Sequence, residues 1–261
     1  MLKPLHKIED KHKNAKLIVF DLDGTLTESK SDMDSEMSEL IEKLLAQKQV
    51  AVIGGGKYEM FQRQLLSKLH TPDELLKNLF LFPTTASAFY RYENGQWQQI
   101  YARLLSPEEK KVILDGFEKT FKELNYSHPK QIYGELIEDR GTEIVFSALG
   151  QEAPLDLKEQ WKKEHTDDKL KITETLQKHL PNFEVRAAGY TSIDVTHKGI
   201  DKEYGLKQIR DRLSIDFDDM IFIGDALFAG GNDSAVLRTG IPCFAVDGPQ
   251  ETKKLIRHLL S

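Results

Sequence analysis

Leu17-Ile18-Val19-Phe20 is an unbroken apolar run that stops at an aspartate, and the pattern recurs along the chain. Val50-Ala51-Val52-Ile53 stops at Gly54-Gly55-Gly56, Leu79-Phe80-Leu81-Phe82 at Pro83, and Met220-Ile221-Phe222-Ile223 at Gly224-Asp225. Short runs without alternation suit strands buried on both faces, as in a parallel sheet. Between the first two runs, Met37, Leu40, Ile41, Leu44 and Leu45 fall at helical spacing, and Phe61, Leu65, Leu66 and Leu69 do so before the third. Strand, helix, strand, helix, strand is the order of a parallel sheet with right-handed crossovers. The expected class is α/β.

The pattern changes after residue 87. A turn at Glu93-Asn94-Gly95-Gln96 precedes a long amphipathic helix over 107–124, with Pro107 suited to its first turn. Residues 131–136 and 143–147 read as strands, and Asp167 or Asp168 suits the N-cap of a helix that ends before Pro181. An inserted α+β unit over 88–186 is therefore expected within a discontinuous core of 1–87 and 187–261. From Ser192 the parallel pattern is expected to resume. It runs through a strand at 193–196, a helix at 202–213, the run ending at Asp225, a helix starting near Asn232, a strand at 243–246 and a last helix at 251–260.

Lys and Arg total 36 against 42 Asp and Glu, a net charge of −6. Broad nucleic-acid or membrane-surface binding needs a basic face, so neither is expected, although a local pocket for one small anion is compatible with this balance. Cys243 is the single cysteine and excludes an intrachain disulfide. Residues 1–16 are polar and of mixed charge, with no apolar core of a signal peptide, and no run is long enough to span a membrane. A cytoplasmic location is expected.

Three acidic or glycine-rich turns then fall at the carboxyl ends of strands, where open parallel sheets bind ligands. Asp21-Leu22-Asp23-Gly24-Thr25 sets two carboxylates one residue apart. The first is placed to attack phosphorus, given a metal that suppresses charge repulsion, and the second to protonate the leaving oxygen. The plainer alternative is an acidic turn or helix cap. Asp21, Asp225 and the backbone carbonyl of Asp23 offer magnesium three hard oxygen ligands. Asn232 and Asp233 are placed to orient that shell, or simply to cap the following helix. Gly54-Gly55-Gly56 leaves backbone N–H groups able to approach a phosphate. A nucleotide P-loop is excluded, because Ala51 stands at its first glycine and Tyr58 at its Ser/Thr. Lys202 opens a helix, where most lysines only solvate a surface; beside three acids it can balance charge on a transferring phosphoryl group.

Asp21–Thr25, Lys202, Gly224-Asp225 and Gly230-Gly231-Asn232-Asp233 together resemble motifs of the haloacid dehalogenase (HAD) superfamily. The insert resembles that superfamily's C2 cap, as in Cof-type sugar phosphatases, and the closer similarity is to the eukaryotic-type α-phosphomannomutases. The resemblance implies a HAD-like Rossmannoid core with an α+β C2 cap, an Asp21 aspartyl-phosphate, Asp23 as general acid/base, and magnesium on Asp21, Asp23 and Asp225. It implies phosphosugar contacts from Lys30, Gly54, Gly55, Arg140, Ser192 and Asp194. The chain departs from the mutase pattern at Gln151 and Tyr133, which replace arginines, and at Thr239, which replaces an acidic ligand of a second ion. A guanidinium clamp on phosphate is hard to replace. The expected function is therefore a magnesium-dependent phosphatase of small phosphosugars. The alternative is a phosphomannomutase-like isomerase, and a third reading is a catalytically silent sugar-phosphate-binding protein.

Overall fold

A computed structural model of the chain describes residues 7–28 and 31–261. The chain divides into two compact units, one of residues 1–102 with 201–261 and one of residues 103–200.

The first unit opens with β1 (Leu17–Phe20), α1 (Ser35–Leu45), β2 (Gln49–Ile53), α2 (Tyr58–Gln64), the short α3 (Asp73–Leu76), β3 (Leu79–Phe82), the single turn α4 (Pro83–Ala86), β4 (Ala88–Glu93) and β5 (Gln96–Ala102). The second unit contains α5 (Pro107–Glu123), β6 (Ile137–Asp139), β7 (Glu143–Ser147), α6 (Leu155–His179), β8 (Phe183–Ala188) and β9 (Ser192–His197). The chain then completes the first unit with α7 (Lys202–Leu213), β10 (Met220–Gly224), β11 (Cys243–Ala245) and α8 (Pro249–Leu260).

Seven strands of the first unit form one sheet in the order β11-β10-β1-β2-β3-β4-β5. The first five are parallel, with Ile18 opposite both Val50 and Ile221. Both faces are covered, which accounts for the absence of alternation in the sequence. Ile18, Phe20, Val50 and Val52 pack with α1 and α8 residues, while Leu17, Val19, Ala51 and Ile53 pack with Leu206 and Ile209 of α7. Each such side chain larger than alanine contributes roughly 1.5–3 kcal/mol on burial. β1 lies between β2 and β10, so the chain leaves it toward one side and later returns on the other. That is the topological switch point at which open sheets form a crevice beyond the strand ends.

In the second unit β6-β7-β9-β8 form an antiparallel sheet. Ile144, Phe146, Val185, Ile193 and Val195 turn one face into a core with Ile113 and Phe117 of α5 and Ile172 and Leu176 of α6. A capping box, Ser106 with Glu109, starts α5, and Pro107 occupies its first position.

Several expected boundaries move. The insert expected over 88–186 spans 103–200 as a compact unit. Residues 88–102 form an antiparallel hairpin on the edge of the core sheet, with Phe80 opposite Arg91. The strand expected to resume the parallel sheet, β9, pairs instead with β7 and β8. Its period-2 pattern, with Ile193 and Val195 buried and Ser192 and Asp194 half-buried, is that of a sheet covered on one face. Residues 131–136 form no strand, α6 begins at Leu155 rather than near Asp167, and the helix expected near Asn232 is a 3₁₀ segment, Ser234–Thr239.

Candidate active site

The end of β1 carries Asp21 into the crevice while its backbone stays in the sheet, its N–H donating to Ile223 O at 3.0 Å. The side chain is buried and meets Lys202, which α7 brings in from the opposite end of the sequence. Lys202 is fully buried, and its ammonium donates to Asp21 Oδ1 and to Asp233 Oδ1. α7 is placed by its own cap, Asp201 accepting from Tyr204 N at 2.9 Å. Burial works against the ammonium, but Asp21 and Asp233 outweigh it and raise the Lys202 pKa. Burial also raises Asp21, with Lys202 acting against this and Asp233 adding to it.

Asp233 does not cap the 3₁₀ segment that follows it, since its side chain makes no capping bond there. Its Oδ2 accepts from Ala226 N at 3.0 Å, which ties the loop after β10 to the Lys202 ammonium. A β-carbon at Gly224 would collide with that oxygen, so this position requires glycine. Asn232 is exposed and Asp233 buried, so only Asp233 of the pair reaches the site interior.

Asp225 lies at the edge of the crevice. Its carboxyl reaches solvent yet has enough protein around it to be pushed up to about 6, with Asp233 adding to the shift. It closes over Gly24, where a β-carbon would strike Asp225 Oδ2 and where φ is +85°, a value glycine adopts without strain. Asp23 is half-buried, and its Oδ1 accepts from Gln64 Nε2 at 3.2 Å. Gln64 is fully buried at the end of α2 and also donates to Ser31 O at 3.0 Å. It was not among the expected site residues. Its signal was its place one turn after Phe61, a polar residue on an apolar helix face.

Asp21 Oδ2 is buried and, among the described residues, has no hydrogen-bond partner. Such an oxygen is costly to leave unpaired and marks a place for a cation. Among the described residues no three His, Cys, Asp or Glu side chains converge on a metal position. Two carboxylates and a carbonyl, with water and phosphate oxygens, remain a donor set that suits magnesium.

The glycine loop differs from expectation in one respect. Gly54 N–H is already spent on Phe82 O at 3.2 Å, so it is not offered to a phosphate. Gly54 instead allows close packing, since a β-carbon there would stand 3.2 Å from Leu22 and Phe61. Gly55 is half-buried, with Thr85 Oγ1 4.0 Å from the place a β-carbon would take. Thr84, Thr85 and Ala86 all have positive φ, at 48°, 54° and 68°. Three non-glycine residues in succession store strain on the order of 1–3 kcal/mol each. Hydrogen bonds from Thr84 N to Gly56 O and from Thr85 N to Gly54 O hold this turn against the glycine loop.

Of the remaining expected residues, Lys30 lies outside the described residues. Arg140, Ser192 and Asp194 all belong to the second unit, where Asp194 stands opposite Arg186 and Val145, and Ser192 opposite Ser147. Arg140 donates to Glu138 at 2.8 Å and to Glu143 at 3.0 Å. Gln151 donates through its side chain to Val145 O at 3.3 Å.

Residues 37–261 match the family model described as eukaryotic phosphomannomutase. Phosphomannomutase 1 of Mus musculus is 29% identical over 257 residues, covering 93% of this chain and 91% of the mouse protein. The Homo sapiens phosphomannomutase 1 is 28% identical over 263 residues, covering 95% and 94%. Among solved structures, IMP-bound Plasmodium falciparum IMP-nucleotidase superposes with a TM-score of 0.70 at 17% identity, over 95% of this chain and 68% of that one. A haloacid dehalogenase-like hydrolase from Bacteroides thetaiotaomicron gives 0.61 at 16% identity, over 92% of each chain. At these identities the structures attest a shared fold only. The names of the sequence relatives favour the isomerase reading over the phosphatase one.

Proposed function

Because the chain belongs to the eukaryotic phosphomannomutase family, within the HAD superfamily, we propose that it moves a phosphoryl group between hydroxyls of a hexose phosphate by way of Asp21. The observation that carries this reading is the buried Lys202 ammonium bridging Asp21 and Asp233 at the switch point of the sheet. A carboxylate that is to attack phosphorus must be buried, oriented and charge-balanced, and this arrangement supplies all three.

An Asp21 oxygen attacks phosphorus, the bond from phosphorus to the sugar oxygen breaks, and Asp23 gives its proton to that oxygen. In the return step Asp23 takes the proton of the free hydroxyl on a hexose monophosphate, whose oxygen attacks the aspartyl-phosphate; the bond from Asp21 to phosphorus breaks, the carboxylate is restored and a hexose bisphosphate is left, from which Asp21 then takes the other phosphoryl group. Gln64 holds the Asp23 side chain for both transfers. Asp21, Asp225 and the backbone carbonyl of Asp23 would hold magnesium, which supplies positive charge against the repulsion between carboxylate and phosphate. Lys202 supplies the fixed charge beside the nucleophile.

One observation favours hydrolysis as a second reading. Gln151 is neutral and its side chain is occupied by Val145 O, so it offers no charge to the second phosphate of a bisphosphate intermediate. Incubation with mannose 1-phosphate and a trace of hexose bisphosphate separates the two. Mannose 6-phosphate forming faster than inorganic phosphate supports the isomerase; the reverse order makes the chain a phosphatase. Absence of both products overturns the phosphosugar assignment.

A further inference from the structure

Among the described residues, Thr84, Thr85 and Ala86 form the one run of consecutive non-glycine residues with positive φ. Left-handed backbone is where β-branched side chains fit worst, and glycine would take these positions without strain. Such a turn persists only where its surroundings hold it. Here they do so from three sides. Thr84 N donates to Gly56 O at 2.8 Å and Thr85 N to Gly54 O at 2.9 Å. Ser87 Oγ donates to Thr84 O at 2.7 Å, and Tyr101 Oη donates to Ala86 O at 2.9 Å. Ala86 packs against α7, where a β-carbon at Gly205 would stand 2.8 Å from its own. Gly205 follows Lys202 by one turn, so the segment is wedged between the glycine loop and the helix that delivers the ammonium.

This clamp buries Thr84 and Ala86 and leaves Thr85 half-buried. Among the described residues the Thr85 hydroxyl has no hydrogen-bond partner. Strand register shows where it stands. Phe20, Val52 and Leu81 lie on one level across β1, β2 and β3, so Asp21, Ile53 and Phe82 share the next. The bond from Thr85 N to Gly54 O holds Thr85 within about one residue of that level. Two strand spacings of about 4.8 Å each separate the backbones of β1 and β3, a gap that an aspartate side chain, a phosphoryl group and a threonine side chain fill together. Gly55 lies between and puts no side chain in the way, with Thr85 Oγ1 4.0 Å from the place its β-carbon would take.

Resting on the proposed transfer through Asp21, we propose that the strained turn serves to present Thr85, and that its hydroxyl donates a hydrogen bond to an outer oxygen of the phosphoryl group carried by Asp21. The glycine loop has no hydroxyl of its own, and its Gly54 N–H is spent on Phe82 O. Thr85 supplies a donor over that loop from the neighbouring strand end. The hydroxyl is neutral and keeps its proton, so it orients the phosphoryl group while Lys202 balances the charge.

The test uses the full chain with magnesium and beryllium trifluoride, which takes the place of a phosphoryl group on a carboxylate and carries three fluorine nuclei. Calorimetry gives its affinity, and ¹⁹F resonance reports the donors around each fluorine. Thr85→Val keeps the branched shape without the hydroxyl. It is expected to weaken binding about ten- to a hundredfold, the worth of a hydrogen bond to a charged group, and to displace one fluorine resonance. Thr85→Ser is expected to restore both. Thr85→Gly relieves the backbone and also lacks the hydroxyl, so it is expected to melt no lower than the parent and to bind as weakly as Thr85→Val. Binding by Thr85→Val within about threefold of the parent, with all three resonances unmoved, overturns the inference while the phosphoryl-transfer reading survives. Equal losses of affinity and melting temperature in all three variants make Thr85 structural and overturn it as well. A parent protein that does not bind the probe, or an Asp21→Asn variant that binds it equally, removes transfer through Asp21 and this inference with it.

Discussion

Lys202→Met is the substitution with the most to say about this site. Lys202 is fully buried and, among the described residues, is the only cation bonded to either Asp21 or Asp233. Methionine fills a similar volume but leaves two buried carboxyl groups with nothing between them. Removing one member of a buried ion network costs about 3–5 kcal/mol, because the remaining charges stay desolvated. For a chain of this size each kcal/mol moves the melting temperature by roughly 2–4 °C, so a fall of roughly 6–20 °C is expected. Turnover should fall by at least about 10²-fold, as when a preorganised charge at a reacting centre is lost. The two effects are separable. Adding Asp233→Asn to Lys202→Met removes one of the stranded carboxylates, and should recover much of the melting temperature while turnover stays low. Thermal unfolding by circular dichroism and phosphosugar turnover measure the two. A single variant that melts within about 2 °C of the parent would refute the electrostatic account, and a double variant that regains turnover would remove Lys202 from catalysis.

Asp21→Asn is expected to abolish turnover with the fold intact, whereas Asp23→Asn should lose about 10²–10⁴-fold, the usual worth of a general acid–base group, as steady-state rates will show. Excess chelator should abolish turnover and magnesium should restore it, while calcium, with longer bonds and more ligands, should inhibit. Glu143 and Asp225 have folded-state pKa values raised to about 8 and about 6, and Asp21 is raised in the same sense. The folded chain therefore holds protons that the unfolded chain releases. Their stabilising contribution is complete below the unfolded carboxyl range of about 4 and is lost as pH rises toward 8. His128, lowered by burial, opposes this weakly near neutrality. In chelated protein the melting temperature should decline across that window, and Glu143→Gln should flatten the decline; a flat profile in the parent would discount the buried acids.

The strands that run through the middle of the core sheet were legible because burial on both faces leaves continuous apolar runs, and the acids at their ends followed from where parallel strands stop. Lys202 was legible only in company, since one lysine at a helix start has no distinguishing pattern. The misplaced insert boundary has a physical cause: the 88–102 hairpin is decided by which edge it pairs with, and edge pairing leaves no mark on local sequence. α6 is legible only in its second half, because in the first half Lys158 occupies a buried position on the inner face. Its ammonium donates to the carbonyl oxygen of Gln151 at 2.9 Å, so the polar sequence conceals a core-facing helix. The left-handed turn at Thr84–Ala86 has no glycine to announce it, and the burial of the Glu143 carboxyl emerges only once the strands are paired.

The discontinuity of the core has a consequence for the order in which the molecule is made. β1 pairs with β10, Leu17 opposite Met220, and the whole of the 103–200 unit, with α1 to β5 and α7, lies between them in sequence. On a ribosome the 103–200 unit, contiguous in sequence, is complete before β10 exists, and β1 waits with one hydrogen-bonding edge open. Pairing across so long a loop is slow, and an open strand edge invites association with other chains. Asp21 and Lys202 therefore meet only after α7, and β10 beside β1, have emerged. The nucleophile acquires its counter-ion late in folding, and no nascent fragment that ends before Asp233 contains a finished site.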